Sequence, residues 1–127
     1  FLWRTQVKDF LSTFLKPGSS PRFALGRVVA TPGALALMHA TNSNPFVLLA
    51  KHVVGDWGEI DPEDVQTNED AVEQGLRVLS VYRLPLQTGA GGTSAAGSEP
   101  IDEFDNRIWL ITEGDRSVST LLLPEEY

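Results

Sequence analysis

Apolar residues recur at helical intervals near the start of the chain. One apolar stripe runs along residues 5–15, with Trp3 one turn before it, and polar residues occupy the rest of the helical wheel. A Lys-Pro-Gly sequence at residues 16–18 ends this pattern, because proline cannot continue a helix. We therefore predict an amphipathic helix over residues 5–15, which covers the core of its own domain or forms the arm of a dimer.

Three later helices are predicted to begin at Thr31, Asn44 and Asp61, each of which is followed by proline. A Thr, Asn or Asp side chain can accept hydrogen bonds from the free N–H groups at a helix start, and proline fits the first helical turn. The first of these helices ends before residue 42, and the other two end at Gly55 and Gly75.

Four segments have the apolar, β-branched composition of strands: residues 23–30, 76–84, 107–112 and 118–123. The last three follow one another without an intervening helix, which predicts an antiparallel meander that the first strand joins. The expected fold is therefore α+β in two layers. Helices cover an antiparallel sheet of about four strands, in the order α-β-α-α-α-β-β-β.

The pattern also predicts how the chain is organised. Residues 1–22 form the first helix and a linker, and residues 23–127 form a single domain. Within that domain, residues 87–106 are a polar insertion rich in Gly and Ser, which we expect to be mobile.

Composition narrows the possible functions. The 127 residues include no cysteine, and the net charge is -7 with a pI near 4.7. The lack of cysteine excludes disulfides and a thiol nucleophile, and the acidic balance disfavours nucleic acid as a partner. No stretch has the length and apolarity of a membrane span. We therefore expect a cytoplasmic protein that binds neither membrane nor nucleic acid.

The charge is divided unevenly along the chain. Residues 1–53 carry a net charge of +5 and residues 54–127 carry -12, and residues 56–73 contain eight acids and no base. Either the two halves face each other in the fold, which we favour, or an acidic face is offered to a partner.

The densest group of candidate catalytic residues lies around His52, where a predicted helix ends. If the helix continued, Asp56 would share a face with His52 and could orient its imidazole for general-base chemistry. Gly55 interrupts that geometry. In the alternative interpretation, His52 packs at the helix end, Trp57 fills the core and Asp56 caps the turn.

A second candidate group lies at the hairpin between the last two strands. It contains Asp115 and Arg116, and the predicted fold can bring Asn68, Arg77 and Tyr82 close to it. Two carboxylates two residues apart at this hairpin, at positions 113 and 115, could hold a divalent metal, but polar residues are also what a hairpin tip normally contains. We predict neither a metal site nor a cofactor, because no phosphate-binding or zinc-helix motif is present.

Candidate binding residues follow from the acidic run and its neighbouring tryptophan. They are Trp57, Asn68, Glu63, Asp64, Glu69 and Asp70.

Three blocks of sequence resemble a group of short uncharacterised bacterial proteins carried on plasmids, integrative elements and other mobile or accessory DNA. The blocks are residues 25–35, His52 with residues 55–58, and residues 109–117 continuing to 123–127. The resemblance covers residues 23–127 apart from the Gly/Ser-rich insertion. It implies a bacterial, accessory-gene setting and no particular activity. The matching polar positions are His52, Asp56, Trp57, Asn68, Arg77, Ser80, Tyr82, Asp115, Arg116 and Ser117.

These observations lead us to expect a small non-enzymatic interaction or regulatory protein of mobile-element cargo. Its partner would be another protein or a second copy of the same chain. The alternative is a small hydrolase or ribonuclease-like toxin that uses a site formed by His52, Asp56 and Arg77.

Overall fold

A computed structural model of the chain describes residues 2–3, 20–84 and 106–127. The helix predicted over residues 5–15 lies outside the described residues, as does the predicted insertion except for Asn106. Within the described ranges, no helix is long and apolar enough to cross a membrane.

Three helices lie where the proline and capping signals place them: α1 (Pro32–Ala40), α2 (Pro45–Val53) and α3 (Pro62–Gln74). The Thr31 hydroxyl accepts a hydrogen bond from the Ala34 N–H at 3.2 Å, and Asn44 Oδ1 accepts one from the Phe46 N–H at 2.8 Å. Asp61 is the N-cap residue of α3, as predicted, but its side chain forms no hydrogen bond with the N–H groups of the first turn. The left-handed Gly75, with φ 71°, ends α3.

Among the described residues, the sheet contains five strands in the spatial order β1-β2-β5-β4-β3. They are β1 (Leu2–Trp3), β2 (Arg27–Ala30), β3 (Val78–Arg83), β4 (Arg107–Thr112) and β5 (Val118–Leu122). The last three form the predicted antiparallel meander. The α+β class is thus confirmed.

Two features of the sheet differ from the prediction. Strand β2 runs parallel to β5, with Arg27 opposite Val118, so the sheet is mixed and the expectation of a wholly antiparallel sheet is wrong. The long connection through three helices and two strands lets β2 enter in either direction, whereas a short hairpin would impose an antiparallel pair. Trp3, which continues the apolar stripe one turn before the predicted first helix, lies in an additional strand, β1, paired with β2.

The described helices pack on one face of the sheet. Alternate strand residues facing this side form the main core with residues of α1 and α2, among them Val28, Ile108, Leu110, Leu121, Ala34 and Leu49. A second cluster joins Trp57, Ala71 of α3 and Val78 of β3. Because successive strand residues point to opposite faces, this register positions the polar core-facing residues described below.

The outer edge of β3 is covered by the chain itself. The Asn68 amide donates to the Leu79 carbonyl at 2.7 Å and accepts from the Leu79 N–H at 3.1 Å, as a neighbouring strand would. Further along, the Val81 N–H donates to the Trp57 carbonyl at 3.0 Å, and the Glu59 N–H donates to the Val81 carbonyl at 2.7 Å. These bonds use backbone groups that could otherwise pair with another chain.

A short 3-10 helix (Pro124–Glu126) joins the C-terminal end of the chain to the start of α1. The Glu126 carboxylate accepts hydrogen bonds from the Gly33 N–H at 3.1 Å, from the Leu123 N–H at 2.9 Å and from the Thr31 hydroxyl. These bonds, the Thr31 hydroxyl first, hold the pKa of the Glu126 carboxyl below its ordinary value. A carboxylate at this position also complements the positive end of the helix dipole.

Candidate functional site

His52 lies at the end of α2 and is completely buried. Its Nδ1 atom is 2.5 Å from the Ser80 hydroxyl oxygen, and its Nε2 atom is 2.9 Å from that of Thr112. Thr112 in turn bonds to Ser119 at 2.7 Å, and the Ser119 hydroxyl donates to the Leu25 carbonyl at 2.8 Å. A continuous hydrogen-bonded chain therefore crosses the core through three strands.

The Leu25 carbonyl at the end of this series of hydrogen bonds determines which group donates in each of them. The Leu25 carbonyl can only accept a hydrogen bond, so the Ser119 hydroxyl donates its hydrogen to that carbonyl. Ser119 must then accept a hydrogen bond from the Thr112 hydroxyl. The Thr112 hydroxyl therefore donates its own hydrogen to Ser119 and accepts a hydrogen bond from Nε2 of His52. The imidazole consequently carries its hydrogen on Nε2, and Nδ1 accepts from the Ser80 hydroxyl.

The surroundings of His52 keep the ring neutral. Burial, followed by the positive charge of Arg116, lowers the pKa of His52 from its ordinary value to about 3. A neutral ring with both nitrogens bonded, in a place that water does not reach, cannot exchange a proton with an outside substrate without a rearrangement of the core.

Aromatic rings and two arginines surround this histidine. The Phe23 and Trp57 rings lie 5.1 and 5.8 Å from the imidazole, centroid to centroid. The Arg22 guanidinium carbon is 5.9 Å from the centre of the Trp57 ring, and that of Arg116 is 5.3 Å from the centre of the Phe23 ring. These cation–π contacts cover the buried ring from the outside.

Arg116 is held mainly by backbone carbonyls. Its guanidinium donates to the carbonyls of Leu76 at 2.7 Å and Ala71 at 2.9 Å, close to the end of α3. Free carbonyls accumulate there, and a cation is stabilised by them and by the helix dipole. Arg116 therefore connects the hairpin to the end of α3 through these hydrogen bonds.

Arg77 and Asp115 of the predicted hairpin group lie at the surface, whereas Asn68 and Tyr82 are buried. Arg77 bonds to the Glu113 carboxylate at 3.1 Å and to the Tyr127 hydroxyl at 2.9 Å. Asp115 accepts from the N–H and the hydroxyl of Ser117, at 3.0 and 2.6 Å, and these bonds, the hydroxyl's first, lower the pKa of Asp115. Among the described residues, no three His, Asp or Glu side chains come close enough to hold a metal ion.

A cleft of about 460 Å³ opens between the start of α2, the loop after α2 and the end of β3. Its charged lining residues are Lys51, Asp56, Glu59 and Arg83, and its apolar ones are Val47, Leu48, Tyr82 and Leu84. The Tyr82 hydroxyl donates to the Asp56 carbonyl at 2.7 Å, and burial raises the pKa of the phenol above its ordinary value. The Tyr82 side chain therefore lines this cleft as a protonated, uncharged phenol.

Of the eight acids in residues 56–73, three precede α3 and five lie on it, and four of those five are exposed. The fifth, Glu69, turns inward and accepts two hydrogen bonds from Arg22, at 2.7 and 3.0 Å, and one from Trp57 at 3.2 Å. Arg22, first of these, holds the pKa of Glu69 below its ordinary value. Within the described residues this is the one ion pair between the two differently charged halves of the chain. Among the described residues, pairing between the two halves therefore involves one acid of the run.

The structure brings some predicted site residues together and separates others. His52, Trp57 and Arg116 meet through Phe23, whereas Asp56 and Tyr82 line the cleft, and Arg77 and Asp115 lie at the surface. Among the binding candidates, Trp57 and Asn68 are buried, whereas Glu63, Asp64 and Asp70 are exposed.

The sequence analysis did not identify several residues that complete these arrangements. They are Ser119 in the buried hydrogen-bonded series, Arg22 and Phe23 around the histidine, and Lys51 in the cleft. One signal was available for Ser119, because it is a small polar residue at a core-facing position of an apolar strand.

Comparison of the chain with protein-family models, with curated proteins and with solved structures finds no match.

Proposed function

We propose that this chain is a small non-enzymatic interaction protein that binds a basic surface of a partner protein through α3. The main support for this proposal is that three acids on the outer face of that helix, Glu63, Asp70 and Glu73, are all exposed. Their spacing of seven and three residues places them on one stripe. No ion pair between described residues includes any of the three.

The composition of α3 supports this role. The helix contains five acids and no base between Pro62 and Gln74, and it buries only Asn68 and Ala71. Like charges close together on one helix face repel, so such a face is stabilised when a cationic surface neutralises it.

The environments of the candidate catalytic groups argue against the alternative, a hydrolase or ribonuclease-like toxin. His52 is buried and neutral, with both nitrogens bonded to hydroxyls. Asp56 lines the cleft, and Arg77 is bonded to Glu113 at the surface. A general base must reach the proton that it removes, and a shared site needs these groups in one place.

Removal of charge from α3 tests the proposal. The test variant is Glu63→Gln with Asp70→Asn, and the matched control is Asp115→Asn with Glu125→Gln, which removes the same charge elsewhere. All three proteins would be used for affinity capture from a lysate of the host, and the captured partner would then be purified and titrated by calorimetry.

We expect wild type and control to bind the same partner and the α3 variant to bind it at least about tenfold more weakly. The affinity should also fall as salt rises from about 50 to 300 mM, because exposed charges are screened. Equal binding by all three proteins, or an affinity that salt does not change, would contradict the proposal.

We further propose that the protein acts in the cytoplasm, among the cargo of bacterial mobile elements. The acidic composition and the three sequence blocks support this setting. A homodimer is the other partner considered, and light scattering of the purified wild type distinguishes a dimer from a monomer that awaits another protein.

A further inference from the structure

The cleft beside α2 holds two opposite charges that the described part of the fold leaves available. Lys51 and Asp56 are both exposed, and neither forms an ion pair with another described residue. The other charged pair in the cleft is satisfied internally, because the Glu59 carboxylate lies 3.2 Å from the Arg83 guanidinium and 3.8 Å from that of Arg107. A ligand would therefore meet one ammonium and one carboxylate.

Backbone and ring contacts hold these two groups at the cleft. The Asp56 N–H donates to the Lys51 carbonyl at 2.9 Å, and the Tyr82 hydroxyl donates to the Asp56 carbonyl at 2.7 Å. The Lys51 ammonium lies 6.0 Å from the centre of the Tyr82 ring. Groups that are already positioned lose less freedom when a ligand binds.

Aliphatic side chains line one part of the cleft, and the polar residues Asn42, Ser43 and Asn44 line another. Leu48 and Leu84 are buried and form its floor, while Val47, which is 37% exposed, stands at its rim. The volume of about 460 Å³ lies within the range of roughly 300–1,000 Å³ that is typical of small-molecule sites. Apolar walls with a few polar groups at defined positions are the usual composition of such sites.

From this juxtaposition we propose that the cleft binds a free α-amino acid with an aliphatic side chain. Lys51 pairs with the α-carboxylate, Asp56 pairs with the α-ammonium, and the side chain lies against Val47, Leu48 and Leu84. The proposal is independent of the α3 interaction, since it uses a different surface and different residues.

Three probes separate the two charge contacts. Leucine carries both charges, N-acetylleucine carries only the carboxylate, and leucinamide carries only the ammonium. Each would be titrated into the full 127-residue chain at concentrations up to about 10 mM, with binding followed by calorimetry and by amide chemical shifts. N-acetylleucine also represents the C-terminal residue of a peptide, so it distinguishes a peptide end from a free amino acid.

We expect leucine to shift the amide signals of residues lining the cleft and to bind at least about tenfold more tightly than either analogue. Lys51→Met keeps the aliphatic stem over Tyr82 and should weaken leucine and N-acetylleucine without changing leucinamide. Asp56→Asn should weaken leucine and leucinamide only. Arg27→Met and Glu125→Gln, which remove charges outside the cleft, should change none of the three.

Several results would overturn the proposal. They are the absence of leucine binding in this concentration range, equal binding of leucine and N-acetylleucine, and equal effects of the cleft variants and their controls. Because the three probes are compared on wild type, the proposal stays testable even if a cleft variant fails to fold.

Discussion

Replacement of His52 by leucine removes both ring nitrogens from the buried chain that links Ser80 to Thr112. Both hydroxyls then lose a partner where water does not reach, and each loss costs about 1–3 kcal/mol. Lost ring contacts with Phe23 and Trp57 add to this cost. We expect His52→Leu to lower the free energy of unfolding by about 3–5 kcal/mol.

The triple variant His52→Leu, Ser80→Ala, Thr112→Val provides the matched control. It removes the whole polar set except Ser119, whose hydroxyl still donates to the Leu25 carbonyl. Because replacement of all partners by apolar groups leaves no unsatisfied polar atom, its unfolding free energy should lie closer to wild type than that of His52→Leu. The single changes therefore should not add.

The pH dependence tests the same arrangement independently. Folding depresses the pKa of His52 to about 3, whereas an unfolded histidine titrates near 6.5, so the unfolded state binds the proton first as pH falls. The stability from the neutral buried ring is fully present above about pH 6.5 and is lost as pH falls towards 3, at roughly 1 kcal/mol per pH unit. His52→Leu lacks this component, so the stability gap should narrow by that amount per unit below about pH 6.5.

Urea unfolding at pH about 7.5, 6.5 and 5.5, followed by tryptophan fluorescence, measures these differences. Trp57 is a suitable reporter because it is buried and its ring contacts the imidazole. Titrating carboxylates affect both proteins alike and cancel in the comparison. A gap that stays constant with pH, or a triple variant as unstable as the sum of its single changes, would refute the reasoning.

Three further predictions concern contacts at the sheet edge and at α1. Gly58→Ala should lower the melting temperature strongly, because Gly58 has φ 79° and an added Cβ would lie 1.9 Å from the Val81 carbonyl oxygen; an unchanged melting curve would contradict this. Asn68→Leu leaves the Leu79 N–H and carbonyl without their side-chain partner, so it should cost about 2–3 kcal/mol and promote association in light scattering, whereas a stable monomer would count against it. Glu126→Gln should cost less than about 1 kcal/mol at neutral pH, and chemical unfolding should show that loss disappearing as acid protonates the wild-type carboxylate; a constant loss would disprove the role of charge.

The positions of the helices could be predicted because their signals are local. Proline restricts φ and lacks an N–H, so its place after Thr31, Asn44 and Asp61 indicates the first turn of each helix. The strand at residues 107–112 was equally evident, because its apolar and β-branched residues continue between polar neighbours.

The arrangement around His52 could not be predicted in this way. The chain shows a histidine near Asp56, but the imidazole bonds to Ser80 and Thr112, which are 28 and 60 positions away. These hydroxyls become partners only because the strand register points them to the same face as the helix. The charge pattern is a similar case. It showed an excess of acid in the second half of the chain, but it did not show that Glu69 would be the acid that pairs with Arg22.

The sequence by itself determined α1 to α3, β2 to β5 and the α+β class, because helix caps, prolines and apolar periodicity act over a few neighbouring residues. Only the tertiary structure decided the parallel entry of β2 beside β5, the hydroxyl partners of His52 and the exposure of the acids on α3. The physical reason is that each of these depends on which distant segments share a surface. That choice is made by the burial of the whole apolar core and by the satisfaction of every polar group enclosed in it.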